Sequence, residues 1–379
     1  MMRGVSAIPW TKICKIGKGT MDGIAKNKDN TTKLSVIMPI YNKAAYVGES
    51  LTGILLQSLC DIELICIDDG STDGSAEIIA DFAGKDSRVR LIRQSNHGAG
   101  VARNVGIKAA KGEYIAFLDA DDFYPTNNIL ARLYAAAKAN NADICGGSFC
   151  EVDGDKLVSS FTGNMAGNTF AQEGWIDFHD YQFDYAYYRF IYRREFLLSN
   201  QLFFPDYRRY QDPPFMLRAF AAAGKFYAIP DVTYCYRINY CPVDWTVEKV
   251  YGLLCGIEDN LTFSAQHKFD KVHVLNYLRL CKDFYRPIVD TAMQYDADGK
   301  ILKKLVDVQS VVNKQMLSES GRFTEEEISC SKPLSELIES LSRQNAQIKR
   351  EGWFINKKLF RVYTLPIRTI GKIIKTIKK

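Results

Sequence analysis

No two cysteines in this chain are spaced Cys-x-x-Cys, and the four histidines, His97, His179, His267 and His273, are scattered. The usual zinc-binding spacings are therefore missing. Ten cysteines without such a framework read as reduced, mostly buried thiols of a cytosolic protein. No stretch approaches the ~20 consecutive apolar residues that cross a bilayer. Residues 1–30 hold no sustained apolar run ahead of a small-residue cleavage site, so neither a spanning helix nor a secretory signal is expected. Charge of one sign is scarce too: 49 Lys and Arg against 44 Asp and Glu leave +5. That excess sits at the end, where from Lys349 onward basic residues recur and Glu351 is the only acid. A basic tail on a near-neutral body gives no reason to expect nucleic acid as a partner of the core.

What is present is an ordinary globular composition, 47% hydrophobic and 25% charged, in 379 residues, more than one typical domain. After a polar leader, residues 1–32, a regular alternation begins. Leu34–Ile40, 62–67, Val89–Arg93, 114–118 and 142–147 read as strands; 46–59, 75–82, 99–110 and 126–139 read as helices. Strands alternating with helices of this length predict an α/β fold, a mainly parallel sheet flanked by helices on both faces. After Cys150 the rhythm changes. A hairpin is expected around Asp153-Gly154, followed by an aromatic stretch (Trp175, Phe178, Tyr181, Phe183, Tyr185, Tyr187, Tyr188, Phe190, Tyr192). That stretch either packs over the sheet edge or forms a sugar-facing wall. From Val247 onward the pattern is helical.

Two acidic clusters stand where buried strands run out: Asp68-Asp69-Gly70-Ser71-Thr72-Asp73 after 62–67, and Asp119-Ala120-Asp121-Asp122 after 114–118. In open α/β sheets ligands bind just beyond the carboxyl ends of the strands. Carboxylates gathered there repel one another unless a cation neutralises them, and a divalent metal bridging a diphosphate would do so. The pairing points to a metal-dependent nucleotide-sugar site. Tyr41, behind Pro39 at the end of the first strand, can stack on a flat base, although Pro-x-Tyr there is also an ordinary turn. Asp69, an acceptor only, suits the imide N–H of uracil; its alternative is an Asx turn. Asp73 is expected to cap the next helix. Asp119 is placed to hold ribose hydroxyls and Asp121 a metal, with Asp122 a cap for the loop and helix after it. Asp212, in Gln211-Asp212-Pro213-Pro214, is either a helix cap ahead of prolines in the first turn or a carboxylate facing the cleft.

Four motifs at ordered intervals then carry a resemblance. They are Leu34-Ser35-Val36-Ile37-Met38-Pro39-Ile40-Tyr41-Asn42, Asp68 to Ser75, Asn96-His97-Gly98-Ala99-Gly100-Val101-Ala102-Arg103-Asn104-Val105-Gly106, and Lys111 to Asp122. Together they resemble the inverting glycosyltransferases of family 2, which have the GT-A fold. The resemblance implies that Pro39, Tyr41 and Asp69 serve the base, Asp119 the ribose, and Asp121 a Mg²⁺ or Mn²⁺ ion. Gln211-Asp212 is similar to the family's acidic pair, with Gln in place of Glu, which makes Asp212 the implied catalytic base. The Gln-x-x-Arg-Trp motif of processive members does not follow Asp212. The resemblance thus implies a non-processive enzyme that moves one sugar from a nucleotide-sugar donor, a UDP-sugar, to a glycan or lipid-linked glycan acceptor in cell-surface polysaccharide synthesis. A catalytically silent nucleotide-sugar-binding module is the rival. A sugar-nucleotide pyrophosphorylase is disfavoured, because the loop after the first strand has no glycine until Gly48 to cradle a triphosphate.

The expected organisation is the leader 1–32, a glycosyltransferase domain 33–240, a helical region 241–350 and a basic tail 351–379. In the tail Ile367, Ile370, Ile373, Ile374 and Ile377 alternate with Arg368, Lys372, Lys375 and Lys379 at helical spacing. This predicts an amphipathic helix lying on anionic lipid, and a cytoplasmic protein peripheral to the inner membrane face. The rival for the tail is a terminal helix docked on the protein itself or on a second subunit. Whether the chain forms homo-oligomers stays open.

Overall fold

The computed structural model describes residues 32–154, 156–238 and 243–351, with 344–351 as backbone only. The leader up to residue 31 and the tail from 352 lie outside the described residues, and with them the expectations placed there.

Strands β1 (Leu34–Ile40), β2 (Ile62–Asp68), β3 (Val89–Arg93) and β4 (Tyr114–Phe117) are parallel neighbours in the order β3-β2-β1-β4. β2 and β4 are buried along their whole length and β1 at every position but Pro39. Unbroken apolar runs replace alternation here because helices cover both faces. Helices α1 (Ala44–Leu55), α2 (Ser75–Lys85) and α3 (Ala99–Ala109) connect these strands. α3 lies close on the sheet because Gly106 carries no side chain; a Cβ there would come within 2.4 Å of Ile37 Cγ2. The polar exception in β2 is Glu63, which accepts from Ser35 Oγ at 2.7 Å and from Arg90 Nη1 at 2.9 Å. Register sets the functional edge: Ile40 is opposite Asp68, and Ile37 is opposite Phe117. Tyr41 and Asp69 therefore emerge side by side, and Asp119 leaves the neighbouring strand two positions behind them.

The first four strands carry the expected parallel sheet, and the second half adds antiparallel strands to it. After α4 (Ile129–Ala139), β5 runs over Ile144–Asp153, six residues beyond the end expected from sequence, and turns into β6 (Lys156–Val158) through the anticipated hairpin. β7 (Gly174–Asp177) pairs antiparallel with a later strand, and β8 (Phe190–Arg193) inserts antiparallel between β4 and β5. Helix α5 (Asp212–Ala223) and the long β9 (Lys225–Arg237) follow, with β9 parallel to β5 through two register shifts. The sheet is mixed, in the order β3-β2-β1-β4-β8-β5-β9-β7. β8 belongs to the aromatic stretch. Phe178, Phe183, Tyr187, Tyr188, Phe190 and Tyr192 are all buried, so that stretch packs into the core beneath the site.

Beyond β9 come α6 (Val247–His267), α7 (Asp270–Leu278), a π-helical turn Arg279–Asp283 and α8 (Tyr285–Tyr295). They continue with α9 (Lys300–Ser310), α10 (Lys314–Ser320), α11 (Glu325–Ser329) and α12 (Lys332–Glu351). These helices share a second hydrophobic cluster, and Tyr210, from the segment before α5, is one of its buried members. No described helix is long and apolar enough to cross a membrane.

Candidate active site

The loop after β1 is tied to the loop after β2. Asn42 has a left-handed backbone (φ +52°), its N–H donates to Ser71 Oγ (3.1 Å), and its side-chain oxygen accepts from the Thr72 N–H (2.8 Å). Tyr41 stands half exposed (49%) just past the end of β1. Pro39 does not form the turn: it is still in the strand, opposite Ile67. Asp73 joins two helices, accepting from the Ala44 N–H at the start of α1 (2.9 Å) and the Ser75 N–H at the start of α2 (3.1 Å). Against desolvation, the Ser75 hydroxyl first and then those N–H groups hold its carboxyl below the usual range.

Asp69 is buried. One carboxylate oxygen accepts from Gln94 Nε2 (2.7 Å) and the His97 N–H (2.9 Å), the other from the Gly98 N–H (2.8 Å). A carboxylate has about four lone-pair directions, so one remains for a ligand donor. The Asx-turn role falls to its neighbour Asp68, which accepts from the Ser71 N–H at 3.0 Å.

The three acids after β4 have three different circumstances. Asp119 accepts from Arg103 Nη2 at 2.7 Å, and its backbone N–H donates to Tyr234 Oη (3.1 Å). Asp121 pairs with Lys43 Nζ at 2.5 Å. Asp122 turns inward, accepting from Tyr234 Oη (2.7 Å) and the Arg237 N–H (2.8 Å). Burial first, then the nearby charges of Asp119 and Asp121, push its carboxyl well above the ordinary range. Asp122 is therefore a structural acid rather than a cap; α4 starts only at Ile129, with Asn128 in the cap position.

Asp212 is the first residue of α5, and Gln211 holds the cap position without a side-chain capping bond. The carboxylate at the positive end of the helix is thus not used as a cap. Burial raises its carboxyl above the ordinary value, opposed mainly by Arg103 and then by Arg209.

Three cations escaped the sequence reading. Arg103 is almost fully buried between the rings of Tyr187 (5.1 Å) and Phe204 (5.3 Å). Burial works against its charge, but Asp119, then Tyr187 and Asp212, hold it protonated. Its Nε and Nη1 find no partner among the described residues. Lys43 faces Asp121, and Arg237 spans the Asp121 carbonyl oxygen (2.8 Å) and Glu49 (2.6 Å). One signal for Arg103 was available: it is a lone charge on the α3 face that includes Gly100, Ala102 and Gly106, all turned to the interior.

The Glycosyl transferase family 2 model matches residues 35–199. Glycosyltransferase GlyG of Streptococcus pneumoniae serotype 4 is 35% identical over 217 residues, 54% of this chain and 70% of GlyG. The chain belongs to glycosyltransferase family 2. EpsJ of Bacillus subtilis, an uncharacterised glycosyltransferase, is 37% identical over 211 residues, and this family 2 chain spans 61% of its length. The crystal structure of Staphylococcus aureus TarS residues 1–349 in complex with UDP-GlcNAc superposes with a TM-score of 0.60 at 20% identity. It covers 75% of this chain and 82% of that one, which gives this family 2 member the GT-A fold.

Proposed function

We propose that this protein transfers a single sugar from a UDP-sugar to a hydroxyl of a glycan or lipid-linked glycan, with inversion and with a divalent metal. The observation that carries the reading is that one buried cation, Arg103, bonds Asp119 at 2.7 Å and is also felt electrostatically by Asp212, with Asp121 two residues past Asp119 at the carboxyl edge of the sheet. Nucleotide-side acids and the candidate base, some ninety residues apart in sequence, converge on one centre.

Tyr41 stacks on the base, the remaining lone pair of Asp69 accepts its imide N–H, and Asp119 takes the ribose hydroxyls. Asp212 accepts the acceptor's hydroxyl proton at a carboxylate oxygen. Burial makes it a stronger base than a free aspartate, and Arg103 opposes that rise by favouring the charged carboxylate. The oxygen so activated attacks the anomeric carbon from the side opposite the leaving diphosphate. Lys43 and Arg237 lie where they can balance that diphosphate's charge.

Among the described residues no group of three or more His, Cys, Asp or Glu could hold a metal by itself. That fits Mg²⁺ or Mn²⁺, which bind through one or two carboxylates and complete their shell with substrate phosphates and water. Asp121 is the ligand we assign, with the ion arriving alongside the donor. When bound it supplies Lewis-acid stabilisation of the leaving diphosphate. A role in cell-surface polysaccharide synthesis, without processive elongation, completes the proposal.

The test uses slow donor hydrolysis, in which water replaces the acceptor. UDP-GlcNAc is the first donor to try, since TarS was crystallised with it. UDP with Mn²⁺ should raise the melting temperature, UDP-GlcNAc should be hydrolysed, and Asp212→Asn should keep UDP affinity while losing turnover at least ~100-fold. Binding without turnover for every UDP-sugar offered would favour the silent module instead. A variant that melts earlier but turns over normally would leave Asp212 a structural role only.

A further inference from the structure

Two residues ahead of Asp212 the chain takes a conformation that L side chains rarely adopt: Tyr210 has φ +67°. Such a residue persists only where its surroundings over-determine it, and here they do. The Tyr210 ring is buried in the helical cluster, edge-on to Phe284 at 5.7 Å. Its hydroxyl accepts from Arg279 Nη1 (2.8 Å) and donates to Asn276 Oδ1 (3.0 Å). Both partners are in turn fixed by Asp184, a fully buried carboxylate from the aromatic stretch. Arg279 Nη1 donates to it at 2.7 Å, and Asn276 Nδ2 and Asn260 Nδ2 each at 2.8 Å.

The backbone around Tyr210 has no slack. A Cβ on Gly256 of α6 would come within 2.5 Å of the Tyr210 carbonyl oxygen, and one on Gly252 within 3.0 Å of the Arg208 nitrogen. On the far side a Cβ on Gly100 of α3 would meet Gln211 Cγ at 2.9 Å. Residues 208–211 are thus wedged between α6 and α3, with the tyrosine hydroxyl as the polar anchor.

We infer that Tyr210 is a positioning residue for the transfer reaction: through Asp184, Asn276 and Arg279, the helical region behind the sheet sets the direction in which Asp212 leaves the loop. The inference rests on the reading of Asp212 as the base. A base must lie within hydrogen-bond reach of the proton it removes, and a misplacement of about 1 Å costs on the order of 100-fold in rate. None of the anchoring groups touches the nucleotide side of the site, so they act on turnover and not on donor binding.

The experiment compares full-length Tyr210→Phe with Tyr277→Phe, assayed for UDP-GlcNAc hydrolysis and UDP binding at a temperature where circular dichroism finds both folded. Tyr277 is the control because its hydroxyl bonds the Glu327 carbonyl within the same helical cluster, away from the loop. Tyr210→Phe should lower kcat about tenfold or more with the UDP dissociation constant unchanged within about twofold, while Tyr277→Phe keeps both. Equal kcat in the two variants would overturn the inference, as would parallel losses of kcat and UDP affinity. Asp212→Asn distinguishes a failure of the base from a failure of its positioning. Full turnover in that variant removes the base itself, whereas its loss beside an active Tyr210→Phe removes only the positioning.

Discussion

Asp121 and Asp122 are neighbours in sequence, yet one faces an ammonium at the cleft and the other is sealed beneath it by Tyr234 and Arg237. Side-chain environment, which spacing does not encode, separates the proposed ligand from a strut. Asp121→Asn keeps shape and volume, so the fold should be unaffected: a melting temperature within about 1 °C of wild type, a shift that corresponds to roughly 1 kcal/mol or less. Turnover of UDP-GlcNAc should fall at least ~100-fold, and the Mn²⁺-dependent part of the UDP-induced thermal shift should disappear. A variant that hydrolyses the donor at the wild-type rate, or wild-type protein unaffected by excess EDTA, would remove the metal from the reading. At this scale the acids stood out in the sequence because each cluster directly follows an apolar strand. Arg103 was harder to read: small residues share its side of α3, but a single arginine in a helix ordinarily signals a solvated face, and the packing of Tyr187 and Phe204 is what shows it enclosed.

Among the elements, β1 to β4 were legible almost to the residue, because both-face burial writes continuous apolar runs. β8 was not. Its four residues sit in an aromatic run without alternation, and its partner β4 lies some seventy-five positions earlier, so local pattern carries no trace of the pairing. The same holds for the polar joints between helices. His273, in α7, is fully buried; its Nδ1 lies 2.9 Å from Ser264 Oγ of α6, and its Nε2 accepts the Asn313 N–H at 3.0 Å just before α10. An accepting Nε2 requires the neutral ring, and burial pushes its pKa from 6.5 down to about 4. The unfolded chain, with an ordinary histidine, binds the proton more readily between those values. The stability that His273 contributes is therefore complete above about pH 6.5 and is lost as pH falls towards about 4, on the order of 3 kcal/mol in all. Asp122 and Asp212, whose carboxyls are raised, act with the opposite sign. Comparison with His273→Gln isolates the histidine. Urea melts from pH 7.5 to 4.5 should show wild type losing more stability than the variant, and parallel curves would refute the assignment.

In the molecule as a whole, the proposed donor side lies on the sheet, and the helical region braces the loop that carries Asp212. The helical character of residues after Val247 was legible from sequence. Their involvement in the site was not, because it runs through Tyr210, Asn276 and Arg279, which only the tertiary fold brings together. If the acceptor is carried on lipid, the enzyme gains by staying at the membrane, and the segment with the chemistry for that is the tail, residues 351–379. Its isoleucines at spacings of three and four and its intervening lysines and arginine suit the headgroup plane. Each basic residue near anionic lipid contributes roughly 1 kcal/mol. Vesicles with an anionic lipid fraction should therefore float the full chain, neutral vesicles much less, and a truncation after Lys349 not at all. Salt near 0.5 M should weaken the full chain's flotation, since screening shortens the reach of the basic residues. Equal flotation of the full and truncated chains, or none by either, would assign the isoleucine stripe to a contact within the protein or with a second subunit.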